Sequence, residues 1–147
     1  LIFDKRSGGN MYQIVAMKTI KTIIVKNILI QLYEGLRTMH SHKLFHSDIK
    51  PENIMIDRNF NIKIIDLGLT CDSSYINICT KAGTPLYQSE KFKRKRNIED
   101  IDIHLNDWYS LGLTITELAL KLNLKMLTKL FKKNIVDSEI LKFIIIV

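Results

Sequence analysis

His46-Ser47-Asp48-Ile49-Lys50-Pro51-Glu52-Asn53 is the stretch on which the reading of this chain turns. It places an acid, a base, an amide and a proline in one short run between two apolar segments. Packing requires no such cluster. Asp48 and Lys50 alternate with Ile49 and Pro51, and Asn53 follows just past the proline, so a tight loop turns the polar groups towards one ligand while Ile49 faces the interior. A polar loop capping a core accounts for Pro51 and Asn53 as turn formers, but not for a lysine two residues from an aspartate. The stretch is therefore expected to be a site.

The segments around it look built to support a loop. From about Ile24 to Ser41, the residues Ile24, Ile28, Leu32, Leu36 and Met39 recur at three- and four-residue intervals, which predicts an amphipathic helix. Gly35 inside that helix costs about 1 kcal/mol against alanine, so it marks close approach of another element. Lys43-Leu44-Phe45 then leads straight into the loop. Beyond it, Ile54-Met55-Ile56 and Ile62-Lys63-Ile64-Ile65 flank Asp57-Arg58-Asn59, which predicts a hairpin that brings Asp66-Leu67-Gly68 back beside Asn53. Residues 69–90 contain Ser73, Ser74, Thr80, Gly83, Thr84 and Pro85 without clear periodicity and read as a long surface loop, usually a functional feature in a compact domain.

Asp107-Trp108-Tyr109-Ser110-Leu111-Gly112 opens a second helical pattern, with Leu111, Ile115, Leu118, Ala119 and Leu122 spread widely enough for a buried helix. Leu124 to Ile146 has further helical spacing, interrupted at Asn134, with Asp137-Ser138 as a cap. Near the start, Ser7-Gly8-Gly9-Asn10 reads as a flexible turn; a lone glycine pair is not a phosphate-binding signature.

The chain of 147 residues, 46% of them apolar, suffices for one globular core or part of one. It opens on Leu1 and closes on the apolar run Phe143-Ile144-Ile145-Ile146-Val147, so both ends read as cut. That run is too short to span a bilayer and no charged-then-apolar leader precedes it, so no membrane insertion is expected. Cys71 and Cys79 have no histidine partners at metal spacing and are expected as ordinary thiols in a reducing, intracellular compartment, cytoplasmic or nuclear. The net charge of +7 has a local origin in Lys91, Lys93, Arg94, Lys95 and Arg96. Such a run could touch nucleic acid or act as a nuclear import signal, but a solvated loop is the commoner explanation and no recognised nucleic-acid-binding fold accompanies it.

Taken in order, these motifs resemble the C-terminal lobe of a eukaryotic-type protein kinase. The catalytic-loop pattern His-Arg-Asp-x-Lys-Pro-x-Asn appears as His46 to Asn53, the metal-binding Asp-Phe-Gly as Asp66-Leu67-Gly68, the substrate-positioning segment as Gly83-Thr84-Pro85-Leu86-Tyr87, and the start of the central buried helix as Asp107 to Gly112. The resemblance covers about residues 24–122, with 123–147 as a helical tail. It implies an α+β fold, mostly α: a helical lobe with a small catalytic-loop β-hairpin, the N-terminal lobe being largely absent. It further implies transfer of the γ-phosphoryl group of ATP to serine or threonine hydroxyls of a protein substrate. Asp48 would orient the substrate hydroxyl and accept its proton, Lys50 would sit near the transferring phosphoryl group, and Asn53 and Asp66 would hold Mg2+ as hard oxygen ligands. Asp107 would anchor the catalytic-loop backbone; as a plain helix N-cap it would have a simpler role, and the two are compatible.

Several positions depart from the family pattern. Ser47 stands where the family often has an arginine that contacts an activation-loop phosphate, which argues against regulation through phosphorylation of Ser73, Ser74 or Thr80. Leu67 replaces phenylalanine, a tolerated apolar exchange. Tyr87-Gln88-Ser89-Glu90 is one residue shorter than Tyr-x-x-Pro-Glu, and the interval from Glu90 to Asp107 is longer than usual. Val15-Ala16-Met17-Lys18 imitates the strand bearing the ATP-contacting lysine, yet lies too close to Asp48 to leave room for the intervening elements and is read as part of the lead into the first helix. Retention of Asp48, Lys50, Asn53 and Asp66 favours a kinase. The altered positions and the missing lobe favour a catalytically inactive pseudokinase or scaffold for this chain taken alone, which by itself is expected to have little activity.

Overall fold

The computed structural model describes Gly9, Met11 and residues 22–121. The readings for Ser7-Gly8, Val15 to Lys18 and the 123–147 tail, with its Asp137-Ser138 cap, lie outside the described residues. Helix α1 (Thr22–Ser41) appears where the apolar spacing predicts it. Its buried stripe is Ile28, Leu29, Leu32 and Leu36. The helix stops where Lys43 adopts a left-handed conformation (φ 60°) and its N–H donates to His40 O (2.9 Å). Strand β1 (Leu44–Phe45) then delivers the chain to the site loop.

The hairpin is formed by β2 (Ile54–Ile56) and β3 (Ile62–Ile64), antiparallel with Ile54 opposite Ile64 and Ile56 opposite Ile62. Asp57 shapes its turn by accepting from the N–H groups of Asn59 (2.8 Å) and Asn61 (2.9 Å). Gln31 of α1 clamps the hairpin at both polarities, donating to Phe60 O and accepting from Ile62 N–H, each at 3.0 Å. Gly35 faces the same hairpin: a Cβ there would lie 3.4 Å from Ile64 Cδ1, the close approach its presence in the helix predicts.

Residues 69–90, expected as one irregular loop, contain more structure. Strand β4 (Cys71–Asp72) pairs antiparallel with β1, Phe45 opposite Cys71, and 3₁₀ turns cover Ser73–Ile78 and Pro85–Tyr87. A two-residue strand, a three-residue turn and a six-residue 3₁₀ segment kinked at Tyr75 are too short or too irregular for periodicity to reveal. Cys71 and Cys79 are not separate thiols: they form a disulfide. The turns between them bring their Cα atoms to 5.6 Å, within disulfide range, and spacing along the sequence could not report that path.

Helix α2 (Glu90–Arg94) is capped by Ser89, whose Oγ accepts from Phe92 N–H (3.1 Å). Helix α3 (Asp100–Lys121) starts earlier than the sequence pattern suggested. Asp107 therefore lies about two turns inside it, and the N-cap reading of Asp107 is withdrawn. The acids at the start of the helix, Asp100 and Asp102, complement its N-terminal dipole, a signal hidden beside the basic run. The described chain is thus mostly helical with two small two-stranded sheets. Its main core joins α1, Ile49, the hairpin and the Leu111, Ile115 and Leu118 face of α3, while Phe45, Cys71, Phe92 and Ile103 form a separate, smaller cluster. Leu32 is fully buried at the centre of the main core. Leu32→Ala should lower unfolding free energy by about 3 kcal/mol in urea denaturation, whereas a loss below about 1 kcal/mol would contradict this packing.

Candidate active site

The site loop hangs from one carboxylate. Asp107, fully buried on α3, accepts from His46 N–H through Oδ2 and from Ser47 N–H through Oδ1, each at 2.8 Å. Its Oδ2 also lies 2.9 Å from Nε2 of His40, near the end of α1. Two helices and the loop therefore converge on a single acidic group. Ser47 is held at φ 69°, a left-handed conformation that costs a non-glycine residue on the order of 1 kcal/mol and persists only where its surroundings impose it. His46 extends the linkage: Asp48 N–H donates to its Nδ1 (3.2 Å), which assigns the proton to Nε2, and Nε2 donates to Ile65 O (2.9 Å). The loop is thereby tied to the residue immediately before Asp66.

Asp48 is nearly buried and its carboxylate is surrounded by donors. Oδ1 accepts from Thr84 N–H (2.8 Å) and Thr84 Oγ1 (2.7 Å); Oδ2 pairs with Lys50 Nζ (2.8 Å) and accepts from Asn53 Nδ2 (3.2 Å). Lys50 Nζ also donates to Thr84 Oγ1 (2.8 Å), closing a small network. Burial pushes the Asp48 carboxyl up, but the hydrogen bonds from Lys50 and Thr84 together outweigh it and hold the group below the usual carboxylate range. Asp48 is therefore ionised at neutral pH.

Asn53, in the 3₁₀ turn Pro51–Asn53, donates through Nδ2 to Asp48 O (2.9 Å) as well as Oδ2, which leaves its amide oxygen as the acceptor it can offer elsewhere. Its backbone oxygen accepts from Ile65 N–H (2.9 Å), so the hairpin returns the chain beside Asn53 as predicted. Asp66 follows at φ 61°, exposed, and makes no hydrogen bond or ion pair among the described residues. Asp48, Lys50 and Asn53 thus meet directly, while Asp66 is next door without touching them. An exposed carboxylate and a free amide oxygen are hard donors of the kind magnesium takes from proteins, usually one or two at a time with phosphates completing the shell. Among the described residues no group of three or more His, Cys, Asp or Glu is placed to hold a metal unaided, and no helix is long and apolar enough to cross a membrane.

Sequence reasoning assigned Thr84 to a substrate-positioning segment but missed that it closes on Asp48. Gly83 makes that closure sterically feasible: it sits at φ 104°, and a Cβ there would fall 2.1 Å from Ser47 O. Gln88 braces the same turn, its Nε2 donating to Ala82 O (2.6 Å). The segment is then fastened to α3, with Ser110 Oγ donating to Tyr87 O (2.7 Å), Ser89 N–H to Asn106 Oδ1 (3.0 Å) and Tyr87 OH to Glu117 Oε2 (2.6 Å). Glu90 pairs within its own helix with Lys93 and Arg94, and Lys95 pairs with Asp102 and Glu99, so much of the basic run is engaged locally.

The protein kinase domain model matches residues 1–145, and the chain belongs to that family. The chain is 34% identical over 122 residues to serine/threonine-protein kinase 1 of Heliothis zea nuclear polyhedrosis virus, an alignment covering 82% of this chain and 43% of the relative. It is 31% identical over 96 residues to CBL-interacting protein kinase 5 of Oryza sativa subsp. japonica, covering 63% of this chain and 21% of the relative. It is 27% identical over 119 residues to the cAMP-dependent protein kinase catalytic subunit of Schizosaccharomyces pombe, covering 80% of this chain and 22% of that protein. The chain spans less than half the length of each of these curated relatives.

Behind the Asp107 clamp, the rings of His40 and His104 lie 4.5 Å apart, with Phe45 and Trp108 edge-on to His40. Burial, and then the neighbouring His40, push His104 below its ordinary value of 6.5, and Asp107 offsets this only in part. A histidine whose folded value is depressed contributes stability that is complete above its ordinary value and is lost as pH falls towards the folded one. Denaturation of the full-length protein should therefore show a loss between pH 7 and 5.5 that is smaller in His104→Gln, the difference bounded by about 1.4 kcal/mol per pH unit for one proton. Equal losses in both proteins would contradict this account of the cluster.

Proposed function

We propose that this chain forms the catalytic core, equivalent to the helical C-terminal lobe over about residues 24–122, of an ATP- and magnesium-dependent serine/threonine protein kinase. The observation that carries the reading is the Asp48 carboxylate, ionised and held between Lys50 and Thr84 beside Asn53. Phosphoryl transfer asks little covalent work of a protein; what it needs is a nucleophile in line with the γ-phosphorus and neutralised charge. The hydroxyl of a serine or threonine substrate would donate its hydrogen bond to Asp48, which orients the oxygen for attack on the γ-phosphoryl group of ATP. As the new P–O bond forms and the bond to ADP breaks, Asp48 receives the hydroxyl proton. A carboxylate whose affinity for protons is lowered acts mainly by orientation, with transfer late in the reaction.

Lys50 supports two roles in this scheme. Its ammonium already bridges Asp48 and Thr84, and it would remain close enough to meet the transferring phosphoryl oxygens. Asn53 and Asp66 would hold Mg2+, which when bound supplies charge neutralisation on the nucleotide phosphates. Thr84 is the residue that an incoming substrate hydroxyl must accommodate, since its own hydroxyl and N–H lie on the Asp48 oxygen nearest the substrate-positioning segment. The partners are therefore ATP and a protein bearing an accessible hydroxyl, and the work is set inside the cell, in cytoplasm or nucleus, where ATP is supplied.

In the full-length protein, Asp48→Asn and Asp66→Asn should each lower kcat for phosphorylation of a serine-containing peptide by about a thousandfold. Circular dichroism should stay near that of the wild type for both; the melting temperature should stay near it for Asp66→Asn, whose side chain is exposed, and fall modestly for Asp48→Asn, which removes a buried charged acceptor from Lys50 and Thr84. Activity that survives both substitutions would remove Asp48 and Asp66 from the mechanism, and a wild-type protein that folds but transfers no phosphate would favour a scaffold.

A further inference from the structure

We propose that Cys71 and Cys79 form a reversible thiol–disulfide site that controls how firmly the Gly83-Thr84 turn is held against Asp48, a proposal that rests on the kinase reading for its effect on catalysis. The two ends of the cross-link lie on different parts of the machinery. Cys71 is on β4, paired with Phe45 on β1, and the next residue, His46, is the first that Asp107 grips. Cys79 lies on the other side of the 3₁₀ turns, a few residues before Gly83 and Thr84. The disulfide thus fastens the approach to Thr84 onto β4, which pairs with the strand that enters the catalytic loop.

Packing does little to hold the same stretch. Tyr75 and Ile78 are 63% and 78% exposed, and the contacts that exist belong to the small Phe45, Phe92 and Ile103 cluster rather than the main core. Ser47 supplies no alternative tether: its buried Oγ has no hydrogen-bond partner among the described residues. Beyond Cys79, Lys81 reaches the backbone oxygens of Lys93 and Lys95, and Gln88 holds Ala82, so the turn itself has separate supports. Loss of the cross-link should accordingly loosen the turn without unfolding the site.

The chemistry is an exchange with a dithiol reductant. A thiolate of the reductant attacks the Cys79 sulfur, the more exposed end, forming a mixed disulfide and releasing the Cys71 thiolate. The second thiol of the reductant then displaces Cys79. Two electrons and two protons pass to the cysteines, which become thiols, and the reductant leaves as its own disulfide. A disulfide oxidant such as oxidised glutathione reverses the process by the same exchange.

The test uses the full-length protein, poised with oxidised glutathione or with dithiothreitol, beside the double variant Cys71→Ser/Cys79→Ser. In the oxidised wild type, peptide mapping by mass spectrometry should find the Cys71–Cys79 link. Reduction should raise KM for the peptide substrate about fivefold while leaving KM for ATP within about twofold, and the double variant should match reduced wild type under both conditions. Trypsin should cut after Lys81 about five times faster once the link is reduced, a readout that needs no activity. If the protein transfers no phosphate, the kinase reading fails and the Lys81 cleavage rate alone judges the site. An absent link, a peptide KM that ignores reduction, a double variant that still responds, or equal cleavage rates would each overturn the proposal.

Discussion

The hydrogen bonds from His46 and Ser47 N–H to the buried Asp107 carboxylate are the constraint on which the rest of the site depends. A carboxylate with no exposure is costly unless its oxygens are satisfied, and here the donors that satisfy it are the backbone of the loop that carries Asp48. Desolvation and loop geometry are therefore the same problem with one solution. The left-handed Ser47, the orientation of His46 towards Ile65 and the placement of Asp48 all follow from where Asp107 stands. His40 adds α1 to the same point, so both long helices and the loop share one fixed reference.

From that reference the chain assembles the candidate site in two strokes. The hairpin brings Asn53 and Ile65 together and sets Asp66 beside the loop. The Gly83-Thr84 turn closes from the opposite side, at a distance only glycine permits, and puts Thr84 on Asp48. One side is built from the main core and is stiff. The other rests on a small apolar cluster, side-chain braces and a disulfide, and is the part of the site with least burial behind it.

What the sequence made legible follows from the physics of each feature. The α1 stripe and the β2–β3 hairpin could be read because long periodic runs and Asn- and Asp-rich turns signal themselves locally. The cluster of Asp48, Lys50 and Asn53 could be read because no core requires it. The start of α3 was placed too late because Asp100-Ile101-Asp102-Ile103-His104-Leu105 alternates polar and apolar residues, a two-residue period that carries no helical signal, and follows a charged run. The β1–β4 pair, the Cys71–Cys79 link and the contact of Thr84 with Asp48 join residues distant in sequence or separated by irregular turns, and local pattern carries no record of such paths. Asp107 shows the same limit: its residue type suits a cap or an anchor equally, and only its position inside α3 decides.

The most direct test of this account is kcat for peptide phosphorylation by full-length Asp107→Asn, measured beside its unfolding free energy. An asparagine keeps the size of the side chain but offers one acceptor oxygen where two loop N–H groups need one each. The account predicts that kcat falls about a hundredfold, with the variant still folded and KM for ATP changed far less, because Asp48 loses its fixed position. A folded Asp107→Asn protein with kcat within about threefold of wild type would contradict the claim that this carboxylate holds the catalytic loop in its working form.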